Sequence, residues 1–312
     1  MPCFKFIACS DIHIRKTTPV SRKDLFYSSL RRKLAWLFKF AADEDAYIIC
    51  GGDVFDTVSV PHELIEDIIK LAIRYNVKLL TVYGQHDLRY HVYRSHKNTP
   101  LAIVLTALNT GHLDETPFIN DLVAVQGASW GRTIPPIVPG KINILATHRM
   151  VTEYGAQWPG HTDYTVGTDL LETDKYDIVV SGDNHRSFMC EKDGRYLINS
   201  GSFARSSIIQ VDYKPRVVLC TVDDKITCEW IDVPIRDALM VFKADVVEEH
   251  NKKSDLTKEQ LQAFTTQLNA YKMEKPDFMY NLHKIKETIT DKHVIDVLDK
   301  IANKVGLKLK AH

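Results

Sequence analysis

Five clusters of carboxylate, imidazole and amide side chains follow one another along this chain of 312 residues. They are Asp11-Ile12-His13, Gly52-Asp53-Val54-Phe55-Asp56, Gly84-Gln85-His86-Asp87, Thr147-His148 and Gly182-Asp183-Asn184-His185. Carboxylate oxygens and imidazole nitrogens are the side-chain atoms that hold divalent cations in hydrolytic sites. If the fold gathers these clusters, the simplest use of so many such groups is to bind metal ions. An isolated Asp-x-His arises by chance in many sequences, so the weight lies in the ordered set.

Each cluster stands at the end of an apolar, β-branched run: residues 4–9, 46–50, 77–83, 142–146 and 176–180. Short apolar runs bounded by Gly or turn residues read as buried strands. Ligand sites in α/β sheets lie beyond the carboxyl ends of strands, which is where all five clusters fall. Between the first two strands, Leu25, Leu30, Leu34, Leu37, Phe38 and Ala41 recur at helical spacing, predicting an amphipathic helix over 23–44. Pro61 suits the first turn of a second helix carrying Leu64, Ile65, Ile68, Ile69 and Ala72. A third follows Pro100 and ends near Asn109-Thr110-Gly111. Strand and helix alternate to about residue 110, the pattern of βαβ units. Beyond it, runs at 122–126, 142–146, 176–180, 195–199, 208–211, 217–222 and 227–233 predict closely spaced strands of a second, largely antiparallel sheet. The fold class expected is α/β, two packed mixed sheets flanked by helices, with a small helical C-terminal segment. The domains expected are 1–237 and 238–312. In the second, apolar faces recur through Leu261, Phe264, Leu268 and Tyr271, then Leu282, Ile285 and Ile289, then Val294, Val297, Leu298, Ile301 and Val305, after a polar linker at 248–255.

Composition narrows the setting. Lys and Arg number 40, Asp and Glu 40, so no global field attracts nucleic acid and any attraction is local. The six cysteines form no C-x-x-C, and several sit in apolar runs as small buried hydrophobes. Met1-Pro2-Cys3-Phe4 leads straight into the first strand, so no signal peptide is expected. No apolar run approaches the ~20 residues of a membrane span. The setting expected is cytoplasmic, with reduced thiols.

The order D-x-H, G-D-x-x-D, G-N-H-D/E, an isolated His and G-H-x-H is that of the calcineurin-like metallophosphoesterases. The chain resembles this family from Asp11 to about Ser207. The resemblance implies a metallophosphoesterase sandwich with two divalent ions. Mn²⁺ is the ion expected, with Mg²⁺ or Fe²⁺ as alternatives. It makes Asp53 the bridging carboxylate, Asp11, His13 and His185 further ligands of one ion, and Gln85, His148 and Asp183 those of the other. Residues two apart on a strand point the same way, so Asp11 and His13 can share an ion. His86 matches the catalytic histidine, and Asp56 the acid that orients its ring. Two positions depart from the pattern: Gln85 stands for Asn, and Asp183 for the first His of G-H-x-H. Both substitute oxygen donors, which suit Mn and Mg. Asp87 reads as a structural turn carboxylate.

Within the family, Thr57 stands where the Ser/Thr phosphatases carry a phosphate-clamping Arg. Gly52-Asp53-Val54-Phe55-Asp56 is similar to the G-D-L-F-D of SbcD-type nuclease subunits, and Ser200-Gly201-Ser202-Phe203-Ala204-Arg205 to their P-G-S-x-x-R, with Ser200 for Pro. That likeness implies a DNA exo- and endonuclease working with an SbcC-type coiled-coil ATPase, docked through the C-terminal helices, with a homodimer as a further expectation. Arg89, Tyr90 and Arg94, with His91, Tyr93, His96 and Lys97 near them, offer basic and aromatic groups for DNA beside the metals. The alternatives are a stand-alone phosphodiesterase or phosphatase acting on a nucleotide or small phosphoester, and a non-catalytic scaffold.

Overall fold

In the computed structural model, residues 3–157 and 162–250 are described. The chain divides into two compact units, Met1–Val247 and Glu248–His312. The helices expected from Leu261 to Val305, and the docking segment they would form, lie outside the described residues.

The first part of the chain alternates as its sequence pattern requires: β1 (Phe4–Cys9), α1 (Phe26–Asp43), β2 (Tyr47–Cys50), α2 (His62–Arg74), β3 (Leu79–Thr81) and α3 (Pro100–Ala107). There follow β4 (Phe118–Ile119), β5 (Val123–Ala128), β6 (Ile142–His148), β7 (Val151–Thr152), β8 (Thr165–Val166), α4 (Gly167–Asp174), β9 (Ile178–Gly182), β10 (Phe188–Lys192) and β11 (Arg195–Asn199). The chain then forms the hairpin β12 (Arg216–Val222) and β13 (Ile226–Asp232), and a short α5 (Ala238–Val241).

Two mixed sheets result, ordered β13-β12-β1-β2-β3 and β10-β11-β9-β6-β5-β4. Apart from Lys5, the β1 run is apolar because both faces of the strand are buried. Phe6 and Ala8 meet Val125, Ile144, Ala146 and Val180 between the sheets. Ile7 and Cys9 pack instead with Leu30, Leu34 and Leu37 of α1 and Leu64 and Ile68 of α2. Full burial of one such side chain contributes about 1.5–3 kcal/mol. On the far side of the second sheet, Leu145, Val179 and Leu197 are covered by Leu170 and Leu171 of α4.

Two expectations change. The second sheet is parallel at its centre, through β5–β6, β6–β9 and β9–β11, and antiparallel only at its edges. The crossovers that parallel pairing needs run through irregular chain and the β10 hairpin as well as α4, so helix signals alone do not reveal them. The antiparallel hairpin β12–β13 joins the first sheet along β1. The strand expected at 208–211 is a 3-10 turn over Ile208–Gln210, held by a capping box in which Ser207 and Gln210 satisfy each other's backbone N–H.

The first compact unit runs past residue 237. Val241, Phe242 and Val247 pack on Val211, and Phe242 is fully buried beneath the guanidinium groups of Arg22 and Arg205.

Candidate metal centre

Parallel pairing sets the site. The loops leaving β1 and β2 stay zipped beyond the strands: Asp11 N–H donates to Gly52 O at 3.1 Å, His13 N–H to Asp53 O at 3.0 Å and Ile14 N–H to Val54 O at 2.8 Å. His148 ends β6 in register with Gly182 of β9, which places Asp183 just past the same edge. Gly84 must be glycine, because a Cβ there would collide with the Asp53 carboxylate. The segment 200–205 braces the edge from behind. Phe203 N–H donates to Asp11 O at 3.2 Å, and Ser202 N–H to His185 O at 3.2 Å.

Asp11, His13, Asp53 and Asp183 hold left-handed backbone, with φ of 49°, 49°, 51° and 78°. Each such residue costs on the order of 1–3 kcal/mol and persists where surrounding structure enforces it, often at functional sites. The strand-alternation argument for Asp11 and His13 therefore does not apply: both lie beyond Cys9, and paired left-handed turns present them to the same place.

All seven expected ligands converge. Asp11, His13 and His185 can offer atoms to one cation, as can Asp11, Asp53 and His148, and His13, Asp53 and His86. His13 Nε2 is 3.8 Å from Asp53 Oδ2 and 3.2 Å from His185 Nε2. His148 Nε2 is 3.4 Å from Asp53 Oδ2 and 3.9 Å from Asp183 Oδ1. The His148 ring is fixed by Nδ1–H donating to Gly51 O at 2.6 Å. The two departures from the family pattern touch each other: Gln85 Nε2 donates to Asp183 Oδ1 at 2.8 Å. The longer Gln side chain makes that reach and leaves Oε1 as its acceptor.

The donor set fits metal ions. Asp11 Oδ2, Gln85 Oε1 and His148 Nε2 are buried and make no hydrogen bond. Three orphaned donor atoms in one place are costly without a cation. The titration of the site agrees. Burial pushes the Asp11 carboxyl up to about 6, against the pull of His148 and His185. Burial pushes the His13 imidazole down to about 3. Burial would lower His148 too, but Asp53 and Asp11 outweigh it and raise the ring to about 10. Burial likewise opposes ionisation of Asp53, and His148, with His13 and His86, brings it down to about 2.

His86 sits at the exposed edge, its backbone N–H donating to Asp53 Oδ1 at 2.9 Å. Its ring is oriented by Asp56, though through the main chain: Nδ1–H donates to Asp56 O at 3.0 Å. The Asp56 carboxylate turns to His13 Nδ1 at 3.6 Å and Arg15 Nη1 at 3.1 Å. Arg15, in the same loop, is a participant that the motif does not announce. Asp87 is structural: fully buried, it accepts from the backbone N–H groups of Val54, Phe55 and Gly84.

Arg89, Tyr90 and Arg94 are exposed. Arg89 and Tyr90 line a cleft of about 470 Å³ with His86, Gln85 and Asp56. Arg94 lies on the next turn and is not among its lining residues. His96, expected beside them at the surface, is buried. A second cleft of about 720 Å³, beside His148 and Asp183, is lined by Trp130, Arg132 and Tyr164.

The family described as calcineurin-like phosphoesterase matches residues 4–187, more than half of the chain. No curated protein matches it. Among solved structures, the TT1561 protein of Thermus thermophilus is 14% identical with a TM-score of 0.48, covering 75% of this chain and 100% of that one. An archaeal phosphodiesterase is 17% identical with a TM-score of 0.41, over 73% and 99%. The NAD nucleotidase of Haemophilus influenzae is 12% identical with a TM-score of 0.42, over 74% and 50%.

Proposed function

The chain belongs to the calcineurin-like phosphoesterase family, and from that premise we propose that it is a two-metal phosphodiesterase cutting DNA, the nuclease subunit of an SbcD-type complex. The observation that carries the hydrolytic reading is the convergence of seven donors from five loops, with three buried donor atoms making no hydrogen bond. Asp11, His13, Asp53 and His185 would hold one ion, and Asp53, Gln85, His148 and Asp183 the other, with Mn²⁺ the ion best suited to the oxygen-rich second set. When bound, such ions supply charge stabilisation for phosphoryl transfer and a nucleophile available at neutral pH.

The chain's own groups do the rest. The Asp56 carbonyl keeps the hydrogen on His86 Nδ1, so the protonated ring delivers its transferable proton from Nε2 to the departing ester oxygen. His86 backbone N–H and the Gly84 turn hold Asp53 in place. Arg15 and His13 share the Asp56 carboxylate and keep that loop from swinging away.

Support for DNA is the cleft that Arg89 and Tyr90 form with His86. A guanidinium can pair with a backbone phosphate there, and the exposed Tyr90 ring can stack on an unpaired base. Thr57 at the clamp position argues against a protein phosphatase. The cleft with Trp130 and Arg132 favours a second reading, a nucleotide phosphodiesterase, since it offers a ring and a cation beside His148. Linear DNA, a cyclic dinucleotide and a chromogenic diester, offered in parallel with Mn²⁺, separate the two. DNA cleavage that falls on Arg89→Ala and Tyr90→Ala while the chromogenic reaction persists supports the nuclease. Hydrolysis of the dinucleotide with intact DNA contradicts it.

A further inference from the structure

His96, His112 and Glu115 form a second cluster that shares no residue with the hydrolytic centre. Their ligand atoms lie within 4.8 Å of one another. His96 belongs to the 3-10 segment Tyr93–Asn98, and His112 to the loop after α3. Both rings are more than nine-tenths buried.

The second nitrogen of each ring is already engaged. His96 Nδ1 lies 2.9 Å from Tyr93 O, and His112 Nδ1 3.4 Å from Asp114 Oδ2. Those oxygens only accept, so each Nδ1 carries its hydrogen and each ring turns its Nε2 toward Glu115. Holding the far ring nitrogen on a carbonyl or carboxylate is how proteins aim a metal-binding histidine. His96 Nε2 points to Glu115 Oε1 at 3.3 Å and His112 Nε2 to Glu115 Oε2 at 3.5 Å. His112 Nε2 is buried and makes no hydrogen bond.

Each Nε2 faces a carboxylate oxygen, so a cation, a proton or a metal ion, must lie between them. Protonating both rings would set two imidazolium groups 4.9 Å apart in a buried place. One divalent ion satisfies both nitrogens and the carboxylate together. The separations of 3.3 and 3.5 Å run to the two different oxygens of Glu115, and all three groups offer ligand atoms within 4.8 Å of one another, close enough to share one ion. Two histidines and one glutamate are a zinc donor set, and the half-exposed Glu115 leaves the outer side open to water.

We propose that His96, His112 and Glu115 bind a zinc ion, with Asp114 orienting His112. Asp114 also accepts from Ser129 N–H, and Ser129 Oγ accepts from Tyr83 N–H at 2.8 Å. Zinc there would staple the segment downstream of His86 to the ends of β3 and β5, a structural role that needs no exchange of substrate.

The test counts zinc in tag-free, full-length protein dialysed against Zn²⁺, by elemental analysis. Wild type and Asp53→Ala, whose hydrolytic centre is broken, are each compared with and without His112→Gln. The expected result is a loss of one zinc per chain on His112→Gln in both backgrounds. Glu115→Gln changes a half-exposed side chain and should keep the fold by circular dichroism while lowering zinc affinity at least tenfold. The thermal midpoint of Asp53→Ala should fall on chelation and recover with Zn²⁺. A zinc affinity unchanged by Glu115→Gln overturns the proposal, whether or not His112→Gln folds. So does a midpoint that responds to pH and not to Zn²⁺, since protons alone would then hold the cluster together.

Discussion

At the scale of single residues, His148 changes most when a cation arrives. Asp53 and Asp11 raise its ring to about 10 in the metal-free protein, so at neutral pH it carries a proton. A ligating imidazole must give that proton up. Metal binding should therefore release a proton. Apparent affinity should climb as pH rises toward 10, by up to about tenfold per unit where one proton is displaced. Calorimetry in buffers of different ionisation enthalpy reads this directly, and binding heats independent of buffer would remove His148 from the ligand set. His86 is a different case, since its ring is exposed and its Nδ1 is held by the Asp56 carbonyl. His86→Ala should leave the metals in place and lower turnover on a poor leaving group by roughly 10²–10⁴. Turnover on a good leaving group should fall less. The ligands are legible in the sequence because each follows a strand, and strand ends converge. The Asp56 carbonyl and the His112 cluster are not. The first is a backbone contact that no side-chain motif encodes. The second joins residues from a turn and a loop that no common strand edge relates.

At the scale of elements, the sequence reveals strands better than their partners. The runs at 4–9, 142–146 and 195–199 read correctly as strands, since burial on both faces leaves mostly apolar residues at their centres. Their direction is harder to read because the β5–β6 connection has no helix to mark a crossover. The run at 208–211 is apolar at Ile208, Ile209 and Val211, yet Ser207 and Gln210 close a capping box that favours a turn. The same end of the domain carries a prediction. Phe242 is fully buried against Val211 and Val241, with Arg22 and Arg205 above its ring. Phe242→Ala should cost about 3–5 kcal/mol by denaturant unfolding. Truncation after residue 237 should be as damaging as that substitution, and truncation after Val247 should not. Equal stability of the two truncated forms would show that the packing around Phe242 contributes nothing.

At the scale of the whole molecule, the balance of 40 basic and 40 acidic residues means that DNA is drawn by a local surface. No helix among the described residues is long and apolar enough to cross a membrane. If the chain from Glu248 onward docks an ATPase, removing it should spare hydrolysis of a small diester and reduce cleavage of long duplex DNA. Duplex cleavage unchanged in the presence of the ATPase would argue against docking through that part. All of this depends on the metal centre, and one titration tests it most directly. Mn²⁺ is titrated into metal-free full-length protein and into Asp53→Ala, with bound metal counted at saturation. Because Asp53 lies within reach of both ligand groups, the wild type should bind two more ions per chain than the variant. An equal count in the two proteins would contradict the two-metal centre.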